Sequence, residues 1–216
     1  MRYAFGMRMV AQHSPGFDPA TPWVDCEILQ ARESRLFRHH LVRRRSPHTT
    51  REHDFVRLLC PDWVNVVAFT APGEPGQGGE LLLVEQYRHG INASTLEVIG
   101  GVADPGEDPA AAARRELLEE TGHAAGSWVS LGSCLPNPAV QDNRCHLYLA
   151  LDCRAVAELA LDPSEELRVW AAPWAEAEQL LRAGRLDHAL VMAAFLRLFL
   201  WPGWPGLERS LRAGAL

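Results

Sequence analysis

The chain has 216 residues, 47% hydrophobic and 22% charged, with a formal net charge of −6 and a pI near 5.8. This length suits one ordinary domain with an appendage and can bury a core without disulfide or metal staples. The acidic balance excludes a surface that docks as a whole on nucleic acid or anionic lipid, which requires clustered Lys and Arg, but it leaves room for a local basic pocket.

Five cysteines, odd in number and without a C-x-x-C pair, read as reduced, mostly buried thiols rather than a disulfide framework or zinc site. No apolar run of signal-peptide length opens the chain, and no stretch reaches the ~18 residues of a membrane span. Residues 189–201 come nearest, but they are interrupted by Arg197 and read as a packed helix. The expectation is a soluble, cytoplasmic protein.

Residues 1–22 are rich in Pro, Gly and Ser and read as an irregular arm. Strand-like pieces at 26–30 and 36–44, joined by a polar turn, predict a hairpin within a small N-terminal β subdomain over 23–60. The run Arg43-Arg44-Arg45 reads as a solvated strand end or a patch facing a phosphate ligand rather than a nucleic-acid motif. Residues 46–53 form a polar loop.

Strands are expected at 55–60 and at 63–70, the latter apolar enough to be buried on both faces. A turn rich in Gly and Pro at 71–79 leads to a strand at 80–87, and a short strand at 96–99 ends in Gly100-Gly101. The firmest helix is 108–121, with Asp108 as N-cap, Pro109 in the first helical position and Gly122 as the stop. Strands follow at 128–134, 145–152 and 167–171. A helix at 174–183 stops at Gly184, and a last helix, capped by Asp187, runs to about residue 200. The main domain spans 61–200. Beyond it, Trp201-Pro202-Gly203-Trp204-Pro205-Gly206 predicts a break into a tail over 201–216. The irregular alternation of strands and helices predicts an α+β or α/β/α sandwich with a mixed sheet.

The chemistry is concentrated in 101–122, GVADPGEDPAAAARRELLEETG. On the predicted helix, Glu116 and Glu120 lie four apart and Glu116 and Glu119 three apart, so they project from one edge. Like charges so placed repel by roughly 0.2–0.5 kcal/mol per exposed pair. A hard divalent cation is their natural partner, because it takes carboxylate oxygens and keeps waters for a substrate phosphate. Glu107 and Arg115 add an anion and a cation at the rim, and Arg115 could brace a glutamate or grip a phosphate. The glycine turn lets the backbone pass close to a metal or ligand. An ordinary solvated charged face is the competing reading of the same residues.

Gly101, five residues, Glu107, seven residues, then Arg115-Glu116-Leu117-Leu118-Glu119-Glu120-Thr121-Gly122 resembles the Nudix box, G-x5-E-x7-R-E-U-x-E-E-x-G-U. The one departure is His123, where an aliphatic or aromatic residue is usual and mainly packs the helix end. The resemblance implies an α/β/α sandwich with a mixed β-sheet, preceded by the N-terminal hairpin subdomain. It implies an enzyme that binds Mg²⁺ or Mn²⁺ and hydrolyses a nucleoside diphosphate linked to another moiety. By carry-over, Glu116 and Glu120 are metal ligands, Glu119 is a further ligand or water-orienting base, and the Gly100 carbonyl faces a metal. Glu107 supports the loop, and Arg115 holds the glutamates.

The flanks narrow the substrate. Leu82-Leu83-Val84-Glu85-Gln86-Tyr87-Arg88 and Leu96-Glu97-Val98-Ile99-Gly100-Gly101 resemble the ADP-ribose pyrophosphatase branch, with Val98-Ile99-Gly100 where Leu-Pro-Ala is commoner. Pro138, sixteen residues beyond Gly122, matches a proline of that branch. Arg88, Glu97 and Pro138 are the substrate-binding candidates. Glu165 or Glu166, in an acidic loop where this branch often carries a mobile glutamate, is a candidate to activate the attacking water; a merely solvated loop is the alternative. The resemblance further implies a homodimer whose N-terminal hairpins exchange, with Trp23 or Phe37 available to stack on a base, and a nucleoside diphosphate sugar as substrate rather than nucleic acid or membrane. A Nudix hydrolase of dinucleotides or oxidised nucleotides, or a catalytically silent regulator, are the competing functions.

Overall fold

A computed structural model describes residues 21–34, 37–73, 78–160 and 166–213. The chain divides into two compact units, one comprising Met1–Cys60 with Ala139–Asp142, the other Pro61–Pro138 with Asn143–Leu216. The expected arm falls almost wholly outside the described residues.

The first unit is an antiparallel sheet of β1 (Val24–Glu33), β2 (Arg38–Arg45) and β3 (Glu52–Leu59), with β2 in the middle. The sequence suggested a two-stranded hairpin, but β3 pairs with β2 along its whole length, from Arg38 opposite Leu59 to Arg45 opposite Glu52. The intervening turn is correspondingly short, with Ser46 Oγ accepting from the amides of His48 and Thr49. Two arginines of the run meet acidic partners across the sheet: Arg43 grips Asp54 through two bonds of 2.8 and 3.0 Å, and Arg44 lies 2.6 Å from Asp25. Residues 139–142 join this unit through the Leu58 amide, which donates to the Val140 carbonyl, and the Cys60 amide, which donates to Asp142.

The second unit runs β4 (Trp63–Thr70), β5 (Glu80–Arg88), β6 (Ala93–Glu97), β7 (Ile99–Val102), α1 (Pro109–Thr121), β8 (His123–Ala124), β9 (Ser127–Cys134), β10 (Cys145–Ala155), β11 (Leu167–Pro173), α2 (Trp174–Arg182), α3 (Ala189–Leu200) and α4 (Trp204–Ala213). Its sheet follows the order β11-β5-β4-β10-β8, with β6 on β5, β7 on β4 and β9 on β10. The β4–β10 pair is parallel and the rest are antiparallel, which makes the sheet mixed. Residues 64–69 are fully buried, as a central strand covered on both faces requires. One face packs Val64, Val66, Leu82, Val84 and Ile99 against Ala112, Ala113 and Leu117 of α1. The other packs Val67, Phe69, Leu81 and Leu83 against Trp174, Val191, Phe195 and Leu198 of α2 and α3. The result is an α+β sandwich.

Three local expectations need correction. The strand expected at 96–99 is two strands, because the chain changes partners at Val98: Glu97 pairs with Val84 of β5, and Ile99 with Val66 of β4. The residue capping α3 is His188, not Asp187, and it makes no side-chain cap bond. Beyond Trp201 the chain does not simply trail away: α4 buries Trp204, Leu207 and Leu211 against the core. Pro205 falls in the first turn of that helix, where no amide donor is needed, so the second Trp-Pro-Gly starts a helix instead of ending one. No single helix among the described residues is long and apolar enough to cross a membrane.

Candidate active site

Helix α1 starts and stops as its sequence dictates. Asp108 is extended and accepts from the Ala111 amide, while Gly122, at φ 69°, donates back to the Leu118 carbonyl. His123 fits this end, its amide donating to Thr121 Oγ1 and its Nδ1 lying 2.7 Å from the Thr121 carbonyl. With both ends fixed, Glu116 and Glu120 on one helix edge meet Gly101 and Gly100 of β7.

Arg115 is the hub of that edge. Its guanidinium donates to both oxygens of Glu107 at 3.1 and 2.9 Å, and to the Val102 carbonyl, Glu116 Oε1 and Glu119 Oε2, each at 2.9 Å. The bond to Glu107, with those to Glu119 and Glu116, raises the arginine's pKa further and keeps it charged. The same arginine holds the Glu107 carboxyl below the usual range, helped by the Asp104 amide. One cation thus ties the loop to three carboxylates.

Glu116 and Glu120 are nearly buried, and Glu119 is about 40% exposed at its side chain. Glu120 Oε2 accepts the Gly100 amide at 3.1 Å. The Glu116 carboxylate fills the space a Cβ on Gly101 would need, so any larger residue there would displace Glu116. Glycine at 100 has its own cause, since a Cβ would come within 2.5 Å of both the Val64 carbonyl and Asn65 Oδ1.

The set offers only hard carboxylate oxygens, the donors that Mg²⁺ and Mn²⁺ prefer, from adjacent turns of one helix. Among the described residues, no three or more His, Cys, Asp or Glu side chains converge into a ready-made metal cage. The cause is Arg115, which lies among Glu107, Glu116 and Glu119, while Glu120 is turned to Gly100. The donor chemistry and the glycine cradle fit a divalent ion; Arg115 now takes up oxygens of Glu107, Glu116 and Glu119 that such an ion would use.

A second group is built on the β5–β6 hairpin. Arg88 grips Glu97 through two bonds of 2.8 and 2.7 Å, Thr95 Oγ1 donates to the same carboxylate at 2.5 Å, and His188 Nδ1 lies 3.0 Å from Oε2. Glu97 is 3% exposed. Burial pushes its carboxyl up, but the bonds from Arg88 and Thr95 and the close approach of His188 outweigh burial and hold it well below the usual range. Glu97 therefore orients Arg88 instead of offering a free carboxylate. Beside this group lies a cavity of about 700 Å³, its lining including Ser94, Thr95, Leu96, Arg185 and Asp187.

The structure brings together Gly100, Arg115, Glu116, Glu119 and Glu120, and separately joins Arg88 to Glu97. Pro138 is exposed in the turn between β9 and β10. Glu166 is exposed immediately ahead of β11, whose first residue, Leu167, pairs with Gln86 near the end of β5 that carries Arg88. Glu165 lies outside the described residues. Sequence reasoning did not pick out Thr95 or His188. Thr95 had a signal, being two residues before Glu97 and on the same strand face; His188 had none, because nothing local ties residue 188 to residue 97.

Comparison with known proteins agrees with this architecture. The model of the NUDIX domain matches residues 61–199. The chain is 33% identical over 135 residues to the methanol dehydrogenase activator of Bacillus methanolicus, covering 62% of this chain and 70% of that one. It is 28% identical over 112 residues to the ADP-ribose pyrophosphatase of Bacillus subtilis (strain 168), covering 51% of this chain and 60% of that one, so the match spans less than two thirds of that relative. The crystal structure of an ADP compounds hydrolase superposes with a TM-score of 0.72 at 23% identity, over 87% of this chain and 97% of the other, a likeness of fold.

Proposed function

The chain belongs to the NUDIX family, and from that premise we propose that it hydrolyses the pyrophosphate bond of ADP-ribose or a related nucleoside diphosphate sugar, giving a nucleoside monophosphate and a sugar phosphate. The observation that carries this reading is the carboxylate edge of α1, with Glu116 seated against Gly101 and Glu120 bonded to the Gly100 amide. Similarity to an ADP-ribose pyrophosphatase supports the choice of substrate.

Glu116, Glu119, Glu120 and the Gly100 carbonyl would hold Mg²⁺ or Mn²⁺. Such an ion, once bound, neutralises the diphosphate and lowers the pKa of coordinated water. The protein's own residues do the rest. Arg115 offsets the mutual repulsion of Glu116 and Glu119 and anchors the loop through Glu107 and Val102. Arg88, its head set by Glu97, holds the substrate's phosphates with a planar, permanently charged donor. Glu165 or Glu166 takes the proton of the attacking water. Pro138 shapes the substrate side of the β9–β10 turn. The same proposal includes a cytoplasmic homodimer with 23–60 as its dimerising, base-binding part, acting on neither nucleic acid nor membrane.

The test is incubation of the purified protein with ADP-ribose and Mg²⁺, with products identified by mass spectrometry beside a panel of dinucleotides and oxidised nucleoside triphosphates. AMP and ribose 5-phosphate as the preferred products support the reading. Turnover confined to other members of the panel, or no turnover at all, overturns it.

A further inference from the structure

We infer that His188 is a positioning residue that sets the direction of the Arg88 guanidinium through Glu97. The inference rests on the reading of Arg88 as the arm that holds the substrate's phosphates.

The hairpin register shows why Arg88 needs guidance. Val84 pairs with Glu97, Gln86 with Thr95 and Arg88 with Ala93, so residues 84, 86, 88 and 93, 95, 97 share one face. Directly across from Arg88 stands only an alanine. The side chain runs past Ala93 to Glu97, which takes its head through two bonds. Its side chain is about 43% exposed, and those two bonds to Glu97 set its direction.

Both oxygens of the Glu97 carboxylate are engaged. Oε1 takes Arg88 Nε and Thr95 Oγ1; Oε2 takes Arg88 Nη2 and stands 3.0 Å from His188 Nδ1, off the line of a straight hydrogen bond. An ionised carboxylate has about four acceptor positions, of which Arg88 and Thr95 take three, leaving one on the side of His188. The three donor atoms belong to the hairpin itself and would move with it. Among the described residues at the carboxylate, His188 is the one from another element, the connection between α2 and α3, and its contact at 3.0 Å ties the carboxylate to the helical layer.

The position is unusual on its own helix. His188 is the N-cap of α3, yet its side chain makes no cap bond, while Asp187 beside it, a residue type that caps well, is exposed. The ring faces Glu97 instead of serving its helix. A guanidinium fixed before substrate arrives loses less freedom on binding. The expected effect of removing His188 therefore falls on KM and not on kcat.

The experiment compares His188→Ala, His188→Asn, Asp187→Ala and Arg88→Ala, measuring KM and kcat for Mg²⁺-dependent hydrolysis of ADP-ribose and the melting temperature. It also follows solvent exchange of the Arg88 Nε–H by NMR in the substrate-free protein. His188→Ala should raise KM by about 5–10-fold with kcat within about twofold, and should speed Nε–H exchange. His188→Asn, whose amide can replace the Nδ1 donor, should recover most of both losses, and Asp187→Ala should change neither. Unchanged KM and unchanged Nε–H exchange in His188→Ala overturn the inference. So does a joint loss of kcat, KM and melting temperature that His188→Asn fails to restore, which is the mark of a merely structural histidine. If Arg88→Ala leaves KM unchanged, the substrate role of Arg88 fails, and the exchange measurement still reports separately whether His188 orders the guanidinium.

Discussion

The carboxylate of Glu116 lies where a Cβ on Gly101 would stand, and Arg115 donates to the same carboxylate at 2.9 Å. The obstacle is the far end of a flexible side chain, so Gly101→Ala can be relieved by moving Glu116. We expect a small stability loss, about 1 kcal/mol, with activity down at least about 100-fold. Gly100→Ala meets the Val64 backbone carbonyl at 2.5 Å, which cannot step aside, and should cost about 1–3 kcal/mol. Urea unfolding beside hydrolysis assays checks both, and equal stability losses would contradict the distinction.

Glu120→Gln should keep the fold, because an amide oxygen can still accept from Gly100, while losing the negative charge a divalent ion needs. Activity should fall at least about 100-fold with an unchanged melting temperature. Circular dichroism melting and product assays on the same preparation provide the check.

Arg115→Ala removes the cation shared by Glu107, Glu116 and Glu119. The carboxylates then repel, and the Val102 carbonyl loses its donor. A destabilisation of about 1–3 kcal/mol is expected, discounted toward the low end because Arg115 is about 29% exposed. Added Mg²⁺ should recover part of it by binding the folded state alone. Urea midpoints with and without Mg²⁺ test this.

The depressed pKa of Glu97 links stability to acid. A carboxyl whose folded pKa lies below its unfolded value stabilises the protein fully above the unfolded value, and that contribution is lost as pH falls toward the folded one. Wild-type stability should therefore drop on acidification below about pH 4.5, the ordinary value for glutamate. Glu97→Gln, less stable at pH 7, should drop less over the same range. Urea midpoints between pH 7 and pH 3 measure the two slopes.

Burial pushes the Cys145 and Cys153 thiols up to about 12. Only these two of the five cysteines are buried, fewer than the composition suggested; Cys26 is exposed, and Cys60 and Cys134 are intermediate. A chromogenic disulfide reagent at pH 7.5 should titrate Cys26 first and reach Cys145 and Cys153 only on unfolding.

The parts of the molecule that were legible from sequence are those whose causes are local. Asp108, Pro109 and Gly122 mark both ends of α1 within the segment itself, and the spacing of Glu116, Glu119 and Glu120 puts them on one edge before any tertiary contact is known. What escaped was set by distant partners. Pairing to β2 decides that β3 is a strand through Glu52 and His53, residues polar enough to read as loop. A change of neighbour from β5 to β4 splits the 96–99 segment at Val98. The burial of Trp204, Leu207 and Leu211 makes α4 a helix where Pro and Gly signalled a break. His188 meets Glu97 across 91 positions of chain, beyond the reach of any spacing rule.

The most direct test of the account is Mn²⁺ binding followed by electron paramagnetic resonance on the wild type and on a Glu116→Gln, Glu120→Gln double variant. The account predicts that the wild type depletes the free-ion signal saturably, that Mg²⁺ competes, and that the double variant, still folded, leaves the signal almost untouched. Equal Mn²⁺ uptake by both proteins, or none by the wild type, would contradict it.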